Sequence, residues 1–165
     1  MKFEPLYQLP NAWTFASGRF GVHLFDGEVT VEEMDEMERL AAAWHEDNPG
    51  RTVELVVIHP SRHRMTGDER RRMTDLMKRW EHVRDASSTV ILAEGLLGAI
   101  HRSVLTGLIL VVPPVHPAKV HADVTSALSF LAPYVEALGG PGDPAVLEQG
   151  VEALRRSFVD RPERR

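Results

Sequence analysis

Residues Thr89–Val112 read TVILAEGLLGAIHRSVLTGLILVV, and this stretch decides the fold. A β-branched run from Thr89 to Ala93 stops at Glu94-Gly95. The apolar segment that follows carries only His101 and Arg102 as titratable or charged groups. A short buried strand feeding a buried helix is the signature of an α/β domain. The apolar run from Leu96 to Val115 also resembles a membrane span. His101 and Arg102 interrupt it, however, and Pro113-Pro114 end it short of the roughly 20 residues that a bilayer requires. A core helix from Leu96 to Val111 is therefore expected, and no transmembrane segment.

Outward from this stretch the chain alternates. On its N-terminal side, Trp13–Ser17 and Phe20–Phe25 read as two strands joined at Gly18-Arg19. In the second, Phe20, Val22 and Leu24 alternate with Gly21, His23 and Phe25, the period-2 pattern of a sheet with two unequal faces. Thr30-Val31-Glu32-Glu33 matches a capping box, and the helix after it carries Met34, Met37, Leu40, Ala41 and Trp44 on one face until Asn48-Pro49-Gly50. Thr52–Ile58 (TVELVVI) reads as a central strand. The polar loop His59–Met65 leads to a second capping box at Thr66-Gly67-Asp68-Glu69, then to a helical stripe of Met73, Leu76, Met77, Trp80 and Val83. The decisive strand is expected over Ser88–Ala93.

On the C-terminal side, Lys119–Ala122 suits a short edge strand. Asp123 can cap a helix through Val124, Leu128, Leu131 and Val135, which Pro133 should kink or shorten. Gly139–Pro144 reads as a linker, Ala145–Phe158 as a further helix and RPERR as a mobile tail. The predicted fold is α/β: a mixed, mostly parallel sheet with an N-terminal hairpin, helices packed on it and a C-terminal helical extension. The boundaries are 1–138 for the α/β domain and 139–165 for linker and helical tail.

Composition limits the function. The chain has 165 residues, 43% hydrophobic and 26% charged, which suits one ordinary globular domain with a real core. A net charge of −5 provides no basic field for nucleic acid. The absence of cysteine removes disulfides, thiol catalysis and thiolate metal sites. The N-terminus MKFEPLYQLPNAW lacks the pattern of a signal peptide, so a cytoplasmic location is expected.

Element order and the wording of three segments resemble the SpoIIAA-like group of the STAS and SEC14-like superfamily. GRFGVHLFDGEVT (residues 18–30) is similar to their opening hairpin and first helix entry. AEGLLGAIHRSVLTG (residues 93–107) is similar to their third helix, and AKVHADVTSALSFL (residues 118–131) to their last short strand and helix. The resemblance covers about residues 13–137. It implies a STAS-like, non-enzymatic regulatory module of bacterial signalling, acting by protein contact. It also implies a phospho-acceptor near the start of the second helix, where HPSRHRMTGDE (residues 59–69) offers Thr66 and Ser61 but no Asp-Ser-Ser-Gly run. The SEC14-like branch implies an alternative, a small-molecule or lipid carrier with a pocket beside the apolar helix.

The residues suggest where such roles would sit. Arg62, Arg64, Arg71, Arg72 and Arg79 make the second-helix region locally basic and mark it as the surface for a protein partner. Arg102 is a candidate for binding a phosphate or carboxylate in bidentate fashion. Thr66 has a plain structural role as an N-cap, worth about 1 kcal/mol. His59 and His63 are four apart, a spacing that two imidazoles on a helix could use for Zn²⁺, and His116 and His121 are five apart. However, His59-Pro60 reads as loop and no HExxH pattern or well-placed third carboxylate accompanies them, so no metal and no cofactor are expected. Ser61, Ser87, Ser88 and Ser103 occur without a GxSxG elbow or a spaced histidine and acid. No catalytic residue is assigned and no enzyme activity expected, with a small enzyme of unknown substrate as a further alternative. Leu105, Leu108 and Ile109 suggest a homodimer through the apolar helix.

Overall fold

The computed structural model describes all residues except 27–28, 60–65, 94, 96–97, 100–102, 104–105, 107–113 and 161–165. Six strands form one sheet in sequential order. They are β1 (Glu4–Gln8), β2 (Ala12–Ser17), β3 (Phe20–Phe25), β4 (Thr52–Ile58), β5 (Arg84–Ile91) and β6 (Ala118–His121). The β1/β2 and β2/β3 pairs are antiparallel, and β3/β4, β4/β5 and β5/β6 are parallel. The helices with described bounds are α1 (Val31–Asp47), α2 (Gly67–Trp80), α3 (Val124–Ala137) and α4 (Pro144–Val159). The predicted mixed α/β sheet, its N-terminal hairpin and its C-terminal helix are all present.

Local chemistry accounts for the boundaries. Ser17 pairs with Phe20 across Gly18-Arg19, and Gly18 alone of the two takes a positive φ, +57°. That is the pattern of a type II′ hairpin turn, which needs glycine at its first central position. Both capping boxes form: Thr30 Oγ1 accepts from the Glu33 amide at 3.2 Å and Thr66 Oγ1 from the Glu69 amide at 3.2 Å. Glu33 also accepts from the Asn11 amide at 3.0 Å, tying the start of α1 to the β1–β2 loop. Pro133 lies inside α3 on its solvent side, and the helix continues through it to Ala137.

The two sheet faces are covered differently. Phe15, Val22, Leu24, Leu55, Val57 and Val90 point into the main core, where they meet Leu128 and Leu131 of α3 and Leu147, Val151 and Phe158 of α4. Phe158 packs edge-on against Trp13 with ring centroids 5.3 Å apart. The segment predicted as a C-terminal extension thus closes this core, and the 138/139 boundary falls at a turn inside one hydrophobic body. On the opposite face α1 and α2 form a smaller cluster, in which Met34, Met37 and Leu76 meet Tyr7 and Ala12.

Three expectations shift. Strand β1 was not foreseen: Pro5 obscures it, and is tolerated because β1 is an edge strand with a register irregularity between Pro5 and Tyr7. Strand β5 begins at Arg84, before the predicted Ser88. Of the apolar helix predicted from Leu96 to Val111, most positions lie outside the described residues; Gly98, Ala99, Ser103 and Thr106 are helical. Among the described residues no helix is long and apolar enough to cross a membrane.

Candidate functional site

The face under α1 and α2 carries a belt of polar side chains, concentrated toward the amino-terminal halves of β4 and β5. Strand alternation places them there. Val22 and Leu24 point to the main core, so His23 points the other way; Val53 and Leu55 do the same for Glu54. Tyr7, Thr14 and His23 are direct cross-strand neighbours on β1, β2 and β3. Thr14 Oγ1 lies 2.9 Å from His23 Nδ1, and His23 Nε2 lies 3.8 Å from Glu54 Oε2. Glu54 accepts from Thr52 Oγ1 at 3.1 Å and from Arg84 Nε at 2.5 Å, and Arg84 also donates to the Met77 carbonyl at 3.2 Å.

Electrostatics fix the protonation of this belt. Burial pushes the Glu54 carboxyl up, but Arg84, His23 and the Thr52 hydroxyl together outweigh it and hold it below the usual range. Burial drives His23 below its ordinary value against the pull of Glu54, so the imidazole is neutral at neutral pH. Burial raises the Tyr7 phenol despite its hydrogen bond with Thr14. The Thr14 hydroxyl shares a hydrogen bond with His23 Nδ1 and also contacts the Tyr7 phenol. The result is a row of polar side chains across four strands, from Tyr7 through Thr14 and His23 to the ionised Glu54 carboxylate, whose 3.8 Å approach to His23 is longer than a hydrogen bond.

A second polar group adjoins the first. Ser87 stands opposite Glu54 on β4 and Ala118 on β6. Its Oγ lies 2.8 Å from His116 Nε2, and His116 Nδ1 lies 3.7 Å from Glu81 Oε1. His116 is buried, and burial holds it below its usual range, with Arg84 adding to the effect and Glu81 opposing it. Sequence reading found no histidine and acid spaced around a serine. The structure supplies both for Ser87, from the short helical turn after α2 and from the loop entering β6.

Above the belt α1 and α2 meet through ionic and aromatic contacts. Arg72 donates to Asp35 at 2.6 Å and to Glu38, and Arg79 pairs with Glu38. His45 stacks on Trp80 with centroids 4.9 Å apart. Asp35, Glu38, Arg39, Ala42, Arg72, Arg79 and Trp80 line an open groove of about 380 Å³.

The predicted site residues therefore separate. Arg72 and Arg79 both pair with carboxylates on α1, but the Arg72 side chain is only 21% exposed while that of Arg79 is 65% exposed. Arg71 is exposed, with only a loose 3.5 Å pair to Asp68. Thr66 is exposed at the start of α2, its hydroxyl and amide both engaged by Glu69. Ser61, Arg62, Arg64 and Arg102 lie outside the described residues. So do His63 and Leu105, Leu108 and Ile109, on which the dimer expectation rests, and most of the helix beside which a carrier pocket was expected. No family model, no curated protein and no solved structure matches this chain.

Proposed function

We propose that the protein is a regulatory module that acts by protein–protein contact, with the outward side of α2 as its partner surface. The observation that carries this reading is the exposure of α2. It spans 14 residues and buries only Leu76. A helix so little used by its own core is held by one side, through Leu76, Arg72 and Arg79. The other side presents Arg71, Asp75, Lys78 and a Met77 that is 51% exposed. Mixed charge around an exposed methionine suits an adaptable protein contact better than a nucleic acid. The STAS-like reading belongs with this proposal. Its support is the order of elements, a hairpin followed by parallel strands in sequence.

Thr66 fits the same surface as a point of control. A phosphate on its hydroxyl would meet the Glu69 carboxylate, which sits 2.6 Å from the Thr66 amide, and like-charge repulsion would open the capping box. Partner contact is tested by placing a photo-crosslinking amino acid at position 71 or 78, with the exposed position 156 of α4 as control, in the source cells. Discrete adducts from 71 and 78 but not 156 support the proposal. Equal adducts from all three positions, or none from 71 and 78, refute it.

A further inference from the structure

Ser87, His116 and Glu81 stand in the order hydroxyl, imidazole, carboxylate. They come from a strand, a loop and a helical turn, so no local turn forces them together. We propose that Ser87 is an activated nucleophile that takes an acyl group from an activated carboxylic ester, with His116 as its general base and Glu81 as the residue positioning the imidazole. This goes beyond the partner-binding reading and does not depend on it.

Geometry carries the assignment. The Ser87 Oγ to His116 Nε2 distance of 2.8 Å is already that of a hydrogen bond along which a proton can move. The His116 side chain is only 4% exposed, and its Nδ1 has no hydrogen-bond partner. An unpaired buried donor costs about 1–3 kcal/mol. The atom that meets it is Glu81 Oε1, 3.7 Å away, and that oxygen is fixed by the Val115 amide at 2.7 Å. A closure of less than about 1 Å makes the missing bond, and such tightening is common when a site takes up its substrate. The proton then resides on Nδ1 and leaves Nε2 free to accept from Ser87. Burial of His116 keeps the ring neutral and able to act as a base at neutral pH. Ser87 is half-buried, one strand in from the β6 edge.

In the reaction Ser87 Oγ attacks the ester carbonyl carbon while its proton passes to His116 Nε2. The Oγ–C bond forms, the C–O bond to the leaving group breaks, and the imidazolium returns its proton to the departing alkoxide. Water then attacks the acyl-serine, gives a proton to His116 and leaves as part of the carboxylic acid, while Ser87 recovers its proton. The Ser87 amide donates to the Pro117 carbonyl at 3.0 Å, so it is not free to stabilise an oxyanion. The site is therefore matched to esters with good leaving groups and not to amides.

The test is acylation by 4-nitrophenyl acetate, read as a nitrophenolate burst and as one acetyl group mapped to Ser87 by peptide mass spectrometry. Ser87→Ala abolishes the adduct, and His116→Gln slows acylation by about 100-fold or more. Glu81→Gln keeps an oxygen for the Val115 amide but removes the charge that makes His116 more basic. It shifts the acid limb of the acylation rate to lower pH, which a purely structural role would not do. Should Ser87→Ala fail to fold, Ser87→Cys provides the second readout, with the acetyl group carried on residue 87. Absence of acetyl from residue 87 in folded protein, or equal acylation of Ser87→Ala, overturns the proposal.

Discussion

Replacing Glu54 by glutamine isolates the ionic centre of the polar belt. The Glu54 side chain is 9% exposed and that of Arg84 17%. The change keeps the shape but removes the negative charge, leaving the Arg84 guanidinium with neutral acceptors only, the Met77 carbonyl and one carboxamide oxygen. Removing one member of a buried pair costs about 3–5 kcal/mol. The lower end, about 3 kcal/mol, applies here because Arg84 keeps that carbonyl bond and some water contact. In a domain of this size each kcal/mol moves Tm by about 2–4 °C, so a fall of about 6–12 °C is expected. Urea unfolding at pH 7.5, followed by circular dichroism, gives the free energy, and Glu54→Gln/Arg84→Met completes the cycle. The double variant should lose less than Glu54→Gln alone, since it leaves no unpaired charge. Glu54 titrates below its ordinary value in the folded state, so its contribution is present above about pH 4.5 and is lost as pH falls through the folded value. The gap between wild type and Glu54→Gln should close accordingly in acid. A Glu54→Gln cost under about 0.5 kcal/mol, or a double variant that loses the sum of the two singles, would refute the reasoning.

Further outcomes follow from other parts of the fold. His23 is depressed below 6.5, so the unfolded chain binds its proton first as pH falls. Stability should therefore decline below about pH 6.5, by at most about 1.4 kcal/mol per pH unit for this one group, and His23→Gln should flatten that slope in urea titrations at stepped pH. Phe158→Ala should cost about 3–5 kcal/mol, because the ring is fully buried against Trp13. A loss under about 1 kcal/mol by thermal unfolding would detach α4 from the core. Thr66→Ala should cost about 1 kcal/mol in the same assay, and Thr30→Ala a comparable amount, as each removes a cap at the start of a helix.

What the sequence made legible depended on range. The capping boxes at Thr30–Glu33 and Thr66–Glu69 are contacts over three residues, and both form as spaced. The Gly18-Arg19 turn is equally local. Strand β1 escaped because Pro5 argues against a strand unless the strand lies at an edge, a fact of the assembled sheet. The reading of Gly139–Pro144 as a linker described the local chain correctly. It could not show that Leu147, Val151 and Phe158 turn back onto the first face of the sheet. Alternation along β3 already set His23 apart from Val22 and Leu24. Its partners Glu54 and Thr14, however, are fixed by strand register, which no single segment contains. Ser87 and His116 meet for the same reason, since β5 pairs with β6 and brings the loop before β6 beside Ser87. Arg72 looked available because its carboxylate partners, Asp35 and Glu38, lie on another helix.

The most direct measure of the role of α2 is the affinity of the crosslinked partner for Arg71→Glu/Lys78→Glu protein, set beside the stability of that variant. Both positions are exposed, and the loose Arg71–Asp68 pair is worth little, so Tm should hold to within a few degrees. Loss of two contacting charges from the partner surface should weaken binding about tenfold or more, a change of at least about 1.4 kcal/mol. Weaker binding with unchanged Tm is the predicted result. Unchanged affinity would contradict the assignment of α2 as the partner surface.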